Sequence, residues 1–332
     1  MIKKKRAKKK KEGSLKRWFF VLGAICLFFI LGKLIFSYRK RIWKNGRLNF
    51  VLASKPVLFF SLSPEEKSLT IVKIPQETYV EVTRGFGAYK IESVYPLGEL
   101  EKKGGELLIE TTQEFLGIPV EAYARFYNFQ FPISNFQLNK EGFIQAKRKI
   151  ASWGVLLRPR KVLQFLKEDL ETNLSYWDIV KIWLAFKKVN IGKISFIDLG
   201  EQRVFSKFSL ADGGEGKKGD PLLVDDVLQE FFFEPEIRKE EILIEVLNGT
   251  DYSGLAHNAA RIISNIGGKV VRAGDNEEKV KKCQLKAEKQ MLKSFTFLKI
   301  KKIFDCQVLE EEGQDLIMIV GDDYQRKLFS KE

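Results

Sequence analysis

Three stretches of this 332-residue chain combine residue types and spacings that could do chemistry. The first is Asn248-Gly249-Thr250-Asp251-Tyr252-Ser253-Gly254, between an apolar alternating segment and a helical pattern. Free N–H groups at a helix start attract anions, and Thr250, Tyr252 and Ser253 add hydroxyls suited to a sugar or a phosphate. The turn holds no basic residue, however, and Asp251 repels an anion. A tight corner explains the same residues without a ligand. Asn and Gly supply positive φ, Ser253 caps the first helical turn, and Gly267 or Gly268 ends the helix in the left-handed conformation. Connection is the favoured reading, with a binding loop as the alternative.

The second stretch, "LADGGEGKK" over 210–218, resembles a phosphate cradle only superficially. A Walker loop needs a hydroxyl residue after its lysine to reach a metal, and here Lys217 and Lys218 are followed by Gly219. It reads as a polar, glycine-rich loop. The third feature is the pair Cys283 and Cys306, the thiols outside the hydrophobic N-terminal run that contains Cys26. In an oxidising compartment they are a disulfide candidate, the alternative being two buried free thiols. With one histidine, His257, and no C-x-x-C, zinc sites of the usual kind are nearly excluded, and no metal site is expected. His257 falls one turn into a helix with no nucleophile placed beside it, so it reads as a surface or partly covered side chain and not as a catalytic base.

Charge is local. Residues 1–47 hold sixteen of the 57 Lys and Arg against one acid, Glu12, whereas the remaining 285 residues carry 41 basic and 42 acidic groups. A near-neutral body argues against nucleic acid as a partner. The basic excess flanks Trp18 to Phe36, nineteen residues broken only by Lys33, which near the end of the run can snorkel to an interface. About 20 such residues span a bilayer core of about 30 Å. Ten Lys and Arg precede the run and five follow Lys33 by residue 47, so the positive-inside bias places the N-terminus in the cytoplasm and the body outside. A signal peptide would be shorter and end at small residues, and "LIFSYRKRIW" offers no such site.

Beyond the anchor, alternation predicts strands at Leu48 to Leu52, Val57 to Leu62, Leu69 to Ile74 and through "ETYVEVT", then a helix from Gly105 to Gly117. "RPRKVLQFLKEDLETN" and "SYWDIVKIWLAFKKVN" read as two helices, the second capped by Ser175 and Asp178 with Trp177, Val180, Trp183, Ala185 and Phe186 as a buried stripe. "KISFIDLG" reads as another strand. Charged "PEIRKEE", Pro235 to Glu241, is the expected domain boundary. After it the pattern is strand, helix, strand, strand, helix, strand: Ile242 to Leu247, Ser253 to Ile266, Lys269 to Arg272, "KVKKCQLKA", a helix capped by Ser294, and "DLIMIV".

"IEVLNGTDYSGLAHNAARIISNIGGKVVRAG" followed by "DLIMIVGDDY" resembles the LytR C-terminal domain: a strand, an Asn-Gly-Thr turn, Gly-Leu-Ala opening a helix, a glycine stop, and a last strand ending in Gly-x-Asp-Tyr. The preceding region is similar to a worn LytR-CpsA-Psr (LCP) domain. "LNFVLASKPVLFFSLSPEEKSLTIVKIPQETYVEV" resembles that family's opening strands, "YKIESVYPLGE" its Lys-Ile-Asn-Ala segment, and "EFLGIPVEAYARF" and "LETNLSYWDIVKIW" also correspond. The resemblance implies a single-pass bacterial cell-envelope protein. Active family members transfer a glycopolymer phosphate from a polyprenyl pyrophosphate carrier to the wall, with arginines on the pyrophosphate and aspartates helping to hold magnesium.

The departures bear on activity. Where the family has Ile-Pro-Arg-Asp-Thr, this chain has Gln76 and Glu77, and where it has Arg-x-Asp the chain has "ASKPVLFF", with Ser54 and Pro56. The later Gly-Gly-Val and the Arg-x-Arg, Asp and Arg cluster have no counterpart. Arginine forks supply the dense planar charge that a pyrophosphate needs, and glutamine does not. Phosphoryl transfer rests mainly on positioning and charge neutralisation, so these losses remove most of the acceleration. Gln76 and Glu77 remain weak catalytic candidates. Arg84, Lys90, Arg125, Lys147, Arg148, Arg158 and Arg160 are candidates for rebuilding a cationic site, but ordinary surface charge is the favoured reading, since nothing pairs them with an Asp cluster.

The expected architecture is α+β: a basic tail over 1–17, a transmembrane helix over 18–36, a degenerate LCP-like α/β domain over 48–234 and a small C-terminal βαββαβ domain over 242–325. The expected function is binding or scaffolding at the envelope without catalysis. Expected partners are the lipid bilayer through the N-terminal helix and a cell-wall glycopolymer or envelope protein, with no nucleic acid and no cofactor. One alternative is an active glycopolymer phosphotransferase requiring Mg2+. A second, transcriptional regulation, rests on the family's historical label alone.

Overall fold

A computed structural model describes residues 41–127, 138–150, 164–209, 215–311, 313 and 316–330. The basic tail and the membrane helix expected over 18–36 lie outside the described residues, and no helix within them is long and apolar enough to cross a membrane. The chain divides into two compact units, 1–44 with 174–181, and 45–173 with 182–332.

The described part of the first unit is organised by one carboxylate. Ser175 Oγ accepts from the Asp178 backbone N–H at 3.2 Å, and the Ser175 N–H and hydroxyl donate to Asp178 Oδ2 at 3.0 and 2.7 Å. This reciprocal cap starts a helix at Tyr176. Asp178 also accepts from the backbone N–H groups of Ile42 and Trp43, at 3.0 and 3.1 Å. Lys181 lies 4.2 Å from the centre of the Trp43 ring. The buried stripe expected along this helix is only partial. Ala185 is 8% exposed, but Trp177 and Val180 are 37% and 48% exposed, because Asp178 turns its own face inward in place of theirs.

In the second unit, β1 (Leu48–Leu52), β2 (Val57–Ser63) and β3 (Ser68–Ile74) form an antiparallel meander. β6 (Ala122–Phe126) joins β1 in parallel and β8 (Ile194–Asp198) joins β3 in parallel. β7 (Leu170–Thr172) closes the other edge, giving the order β7-β6-β1-β2-β3-β8. Val51, Phe59, Val72, Ile74 and Ile197 alternate onto one face and meet α1 (Ile91–Glu99), α2 (Gly104–Leu116) and α5 (Pro221–Phe232) in a single core. Lys140–Ile150 forms α3 and Tyr176–Lys188 is α4. A second sheet is made of β4 (Thr78–Val82), β5 (Gly87–Lys90), β9 (Phe205–Ser209) and β10 (Glu215–Gly219), in the order β5-β4-β10-β9.

Two expectations change here. The helix expected across 158–173 is, among its described residues, one π-helical turn at Phe165–Asp169 leading into strand β7, whose pairing with β6 overrides the helical propensity of "LET". The loop expected over 210–218 ends in a strand, because Glu215–Gly219 pairs with β9 and β4 through its backbone and needs no apolar alternation.

The segment expected as a boundary forms α6 (Pro235–Glu240), with Ile237 buried. Beyond it lie β11 (Leu243–Asn248), α7 (Leu255–Asn265), β12 (Lys269–Asp275), β13 (Gln284–Ala287), α8 (Phe295–Phe304), β14 (Gln307–Glu310), β15 (Leu316–Val320) and α9 (Asp322–Phe329). The sheet has five strands, ordered β12-β11-β15-β13-β14, in place of the four of a βαββαβ unit. The added β14 is four residues long and pairs only with β13, too short for alternation to reveal. Cys283 and Cys306, one residue before β13 and β14 respectively, are joined in a disulfide with Cα atoms 4.5 Å apart.

This third sheet is fastened to the first by charged groups. The last turn of α2 leaves carbonyls without helical partners, and Arg261 of α7 donates to Glu114 O at 2.8 Å and Phe115 O at 3.2 Å. The same guanidinium grips Asp225 of α5 through Nε at 2.6 Å and Nη2 at 2.8 Å. Asn265 completes the joint by donating to Gly117 O at 3.1 Å and Asp225 Oδ1 at 2.8 Å. Lys299 of α8 is buried between Glu121 and Glu234, 3.0 Å from each. Burial disfavours its charge, but the two carboxylates prevail and its pKa rises. Tyr324 of α9 donates to Glu114 Oε1 at 3.0 Å, and burial pushes both groups up.

Removing the ammonium leaves two buried carboxylates unpaired. Lys299→Met is expected to cost about 3–5 kcal/mol in urea unfolding at neutral pH. Because the folded pKa of Lys299 lies above its unfolded value, its contribution is complete below the ordinary lysine value of about 10.4 and fades as pH rises through the folded pKa. The gap in stability between parent and variant is therefore constant from neutrality to about pH 10 and narrows above it, as unfolding at a series of pH values would show.

Candidate functional site

Strands β1, β3, β6 and β8 run in one direction, so their carboxyl ends share one edge of the first sheet. That edge is where open α/β sheets hold ligands. The positions singled out by the family resemblance fall there. Ser54 follows β1 and turns its hydroxyl onto Pro56 O at 2.7 Å. Gln76 and Glu77 form the exposed turn between β3 and β4. A backbone hydrogen bond and the neighbouring Lys217, 3.4 Å away, hold the Glu77 carboxyl below the ordinary carboxylate range. It is ionised, but its counterion is a lysine of β10.

The arginine of this edge is Arg125, at the carboxyl end of β6. Period-2 alternation puts Tyr123, Arg125 and Tyr127 on one face. The Arg125 guanidinium carbon lies 4.7 Å from the ring centres of both Tyr95 and Tyr127, with one nitrogen 4.0 Å from Glu171 Oε2. Glu171 of β7 accepts hydrogen bonds from Tyr95 and Tyr127, and from Tyr123 at 3.4 Å. Burial opposes its charge, yet the tyrosine hydroxyls and Arg125 together lower its pKa. Burial and the carboxylate raise Tyr95 and push Tyr123 up to about 12. The hydroxyls and Glu171 satisfy one another, and Arg125, half-buried, is drawn toward the two rings and this carboxylate. Glu171 was missed from sequence because its segment reads as helix, whereas the Tyr-x-Arg-x-Tyr alternation was visible and is the signal that would have found the cluster.

The other cations proposed to rebuild a site are dispersed. Arg84 is held by Glu110 at 2.8 and 2.9 Å and by Glu106 at 3.3 Å, hydrogen bonds that raise its pKa. Lys147 donates to Lys187 O at 3.4 Å. Lys90 and Arg148 are exposed, and Arg158 and Arg160 lie outside the described residues. Among the described residues no three His, Cys, Asp or Glu side chains gather to hold a metal.

The corner at 248–254 closes on itself. Asn248, 5% exposed, donates to Tyr252 O at 3.0 Å and accepts from the Thr250 N–H at 3.2 Å and hydroxyl at 2.9 Å. Thr250 Oγ1 in turn accepts from the Tyr252 N–H at 3.1 Å. Lys279 pairs with Asp251 at 2.5 Å, and the Tyr252 ring stacks on Phe329 with centres 4.1 Å apart. The expected placement of positive φ changes: it belongs to Gly254, the N-cap, at +86°. Gly249 is required for packing instead, since a Cβ there would lie 2.7 Å from Val280 Cγ2 and 3.0 Å from Ile319 Cγ2. Ser253 makes no cap bond, because the N-cap is one residue later. His257 is exposed on α7.

No family model matches the chain. Weak sequence homology links it to polyisoprenyl-teichoic acid--peptidoglycan teichoic acid transferase TagU of Oceanobacillus iheyensis, 29% identical over 93 residues, covering 28% of this chain and 25% of that protein. The protein of the same name from Bacillus cereus is 25% identical over 124 residues, covering 36% of this chain and 39% of that protein. The chain thus spans well under half the length of the curated relatives it matches. Among solved structures, TagT bound to LIIa-WTA aligns at 15% identity over 57% of this chain and 93% of that one, with a TM-score of 0.38. B. subtilis TagV aligns at 13% identity over 56% of this chain and 95% of that one, with a TM-score of 0.40.

Proposed function

We propose that this chain is a membrane-anchored cell-envelope protein that binds or scaffolds a wall glycopolymer without transferring it, a non-catalytic relative of the LCP transferases whose exported part joins an LCP-like domain over 48–234 to a LytR C-terminal-like domain over 242–325. The observation that carries this is the state of the carboxyl edge. Glu77 is matched by Lys217, Gln76 is neutral, and Arg125, half-buried, lies over two tyrosine rings with Glu171 beside it. A pyrophosphate needs several forks free to rotate onto it, and here their charge is already matched by protein groups. The homology to teichoic acid transferases supports the envelope and the polymer class.

With Mg2+ and a glycopolymer on a polyprenyl pyrophosphate carrier, the full-length chain is expected to release no polyprenyl phosphate above background, while isolated wall polymer retains it in a sedimentation assay. Release that disappears in Glu77→Ala would establish the transferase instead, and absence of retention at every salt concentration would remove the binding role.

The corner at 248–254 acts in this reading as a connection. Asn248→Ala removes the hydrogen bonds to Tyr252 O and to both Thr250 groups, and is expected to cost about 1 kcal/mol in urea unfolding while leaving polymer retention unchanged. A variant of parental stability that loses retention would make the corner a binding loop.

A further inference from the structure

The first sheet has a second end. At the amino ends of β3 and β8, opposite the family's site, lies a cleft of about 490 Å3, within the range of small-molecule sites. It arises from an interruption in the apolar pattern. Asn49, Ser61, Thr70 and Ser195 are register partners across β1, β2, β3 and β8, so four polar residues form one row on the face that is otherwise apolar core. Ser61 donates to Asn49 at 2.6 Å, but Thr70 and Ser195 line the cleft, and neither hydroxyl has a side-chain partner among the described residues.

Three cations border the row. Arg47, 4% exposed, forms the floor; it donates to Ser61 at 3.2 Å and pairs with Glu66 at 2.5 Å, and its Nε has no acceptor. Lys193, at the mouth, donates to the Glu66 backbone carbonyl at 3.1 Å, which leaves its charge unmatched by that contact. Arg238 is flat over the Phe233 ring, its guanidinium carbon 3.5 Å from the ring centre. Since Glu66 is matched by Arg47, Lys193 and Arg238 face one further acid of the lining, Glu230, and the cleft keeps one net positive charge. Phe231 adds an apolar wall.

We propose that this cleft binds a polyol carrying one anionic group, phosphate or carboxylate. The Thr70 and Ser195 hydroxyls and Glu230 meet the polyol hydroxyls, Lys193 and Arg238 take the anion, and Phe231 packs against the C–H face. This deepens the binding function above and rests on it only for the identity of the polymer. The cleft is distinct from the carboxyl edge, so losing the transferase groups leaves it intact.

The test is calorimetric titration of the full-length chain with glycerol 3-phosphate and with glucuronate, and with glycerol and inorganic phosphate as controls. At least one anionic polyol is expected to bind saturably, with each control weaker by about tenfold or more, as loss of one charge-assisted set of bonds implies. The exposed double variant Lys193→Ala/Arg238→Ala is expected to lose about tenfold or more, and Ser195→Ala to weaken the polyols without changing inorganic phosphate. The proposal is overturned if neither anionic polyol binds, if inorganic phosphate binds as well as they do, or if the double variant matches the parent. Polymer still retained by the double variant would overturn the cleft and leave the binding function standing. Glycerol 3-phosphate binding lost in the double variant, with no retention of polymer by the parent, would uphold the cleft and overturn that function.

Discussion

Arg261 is the interaction on which the joining of the two large sheets depends. One guanidinium ends α2, holds α5 through Asp225 and belongs to α7, so three helices meet at a single rigid fork. A lysine could not do this, since a point ammonium has no planar set of donors to divide between a carboxylate and two carbonyls. The fork lies within the last turn of α2, where the helix dipole favours positive charge. Lys299 repeats the device from α8, and Glu240 of α6 accepts from the first backbone N–H groups of that helix, at 2.7 and 2.8 Å. What looked like a charged linker is thus a connector whose acids complete its neighbours.

The same rule describes the carboxyl edge of the first sheet. A buried or half-buried cation is stable only when matched, and in this chain the matching groups come from the protein itself. Arg84, Arg125, Arg261 and Lys299 each face acids of the fold. At the carboxyl edge the acid is Glu171, which accepts from Tyr95, Tyr123 and Tyr127 and lies beside Arg125.

Much of the fold was legible because it is written in period. β1 to β4, α2, α7 and α8 alternate or repeat as their burial requires, and the caps Ser175 and Ser294 mark helix starts in agreement with the hydrogen bonds they make. The misread elements are held by pairing alone. β7, β10 and β14 have three to five residues and little apolar alternation, so their conformation comes from the neighbouring strand and not from their own side chains. At the candidate site, Gln76 and Glu77 were legible as departures from the pattern the sequence resembles. The cluster around Arg125 was not, since Glu171 reaches the tyrosines only through the pairing of β7 with β6, which joins residues more than forty positions apart.

The two ends of the first sheet present different chemistry. At the carboxyl edge Arg125 lies over the rings of Tyr95 and Tyr127, whereas at the amino edge the apolar row gives way to Asn49, Ser61, Thr70 and Ser195. A buried hydroxyl row on a core face lowers stability unless something satisfies it, because each unpaired group carries its desolvation cost. Ser61 and Asn49 satisfy each other, and Arg47 adds a donor to Ser61. Thr70 and Ser195 instead open to the cleft, where water or a ligand can serve them. Apolar residues at those two positions would extend the core at no polar cost, and the proposed polyol site is the use that the two hydroxyls serve in the cleft.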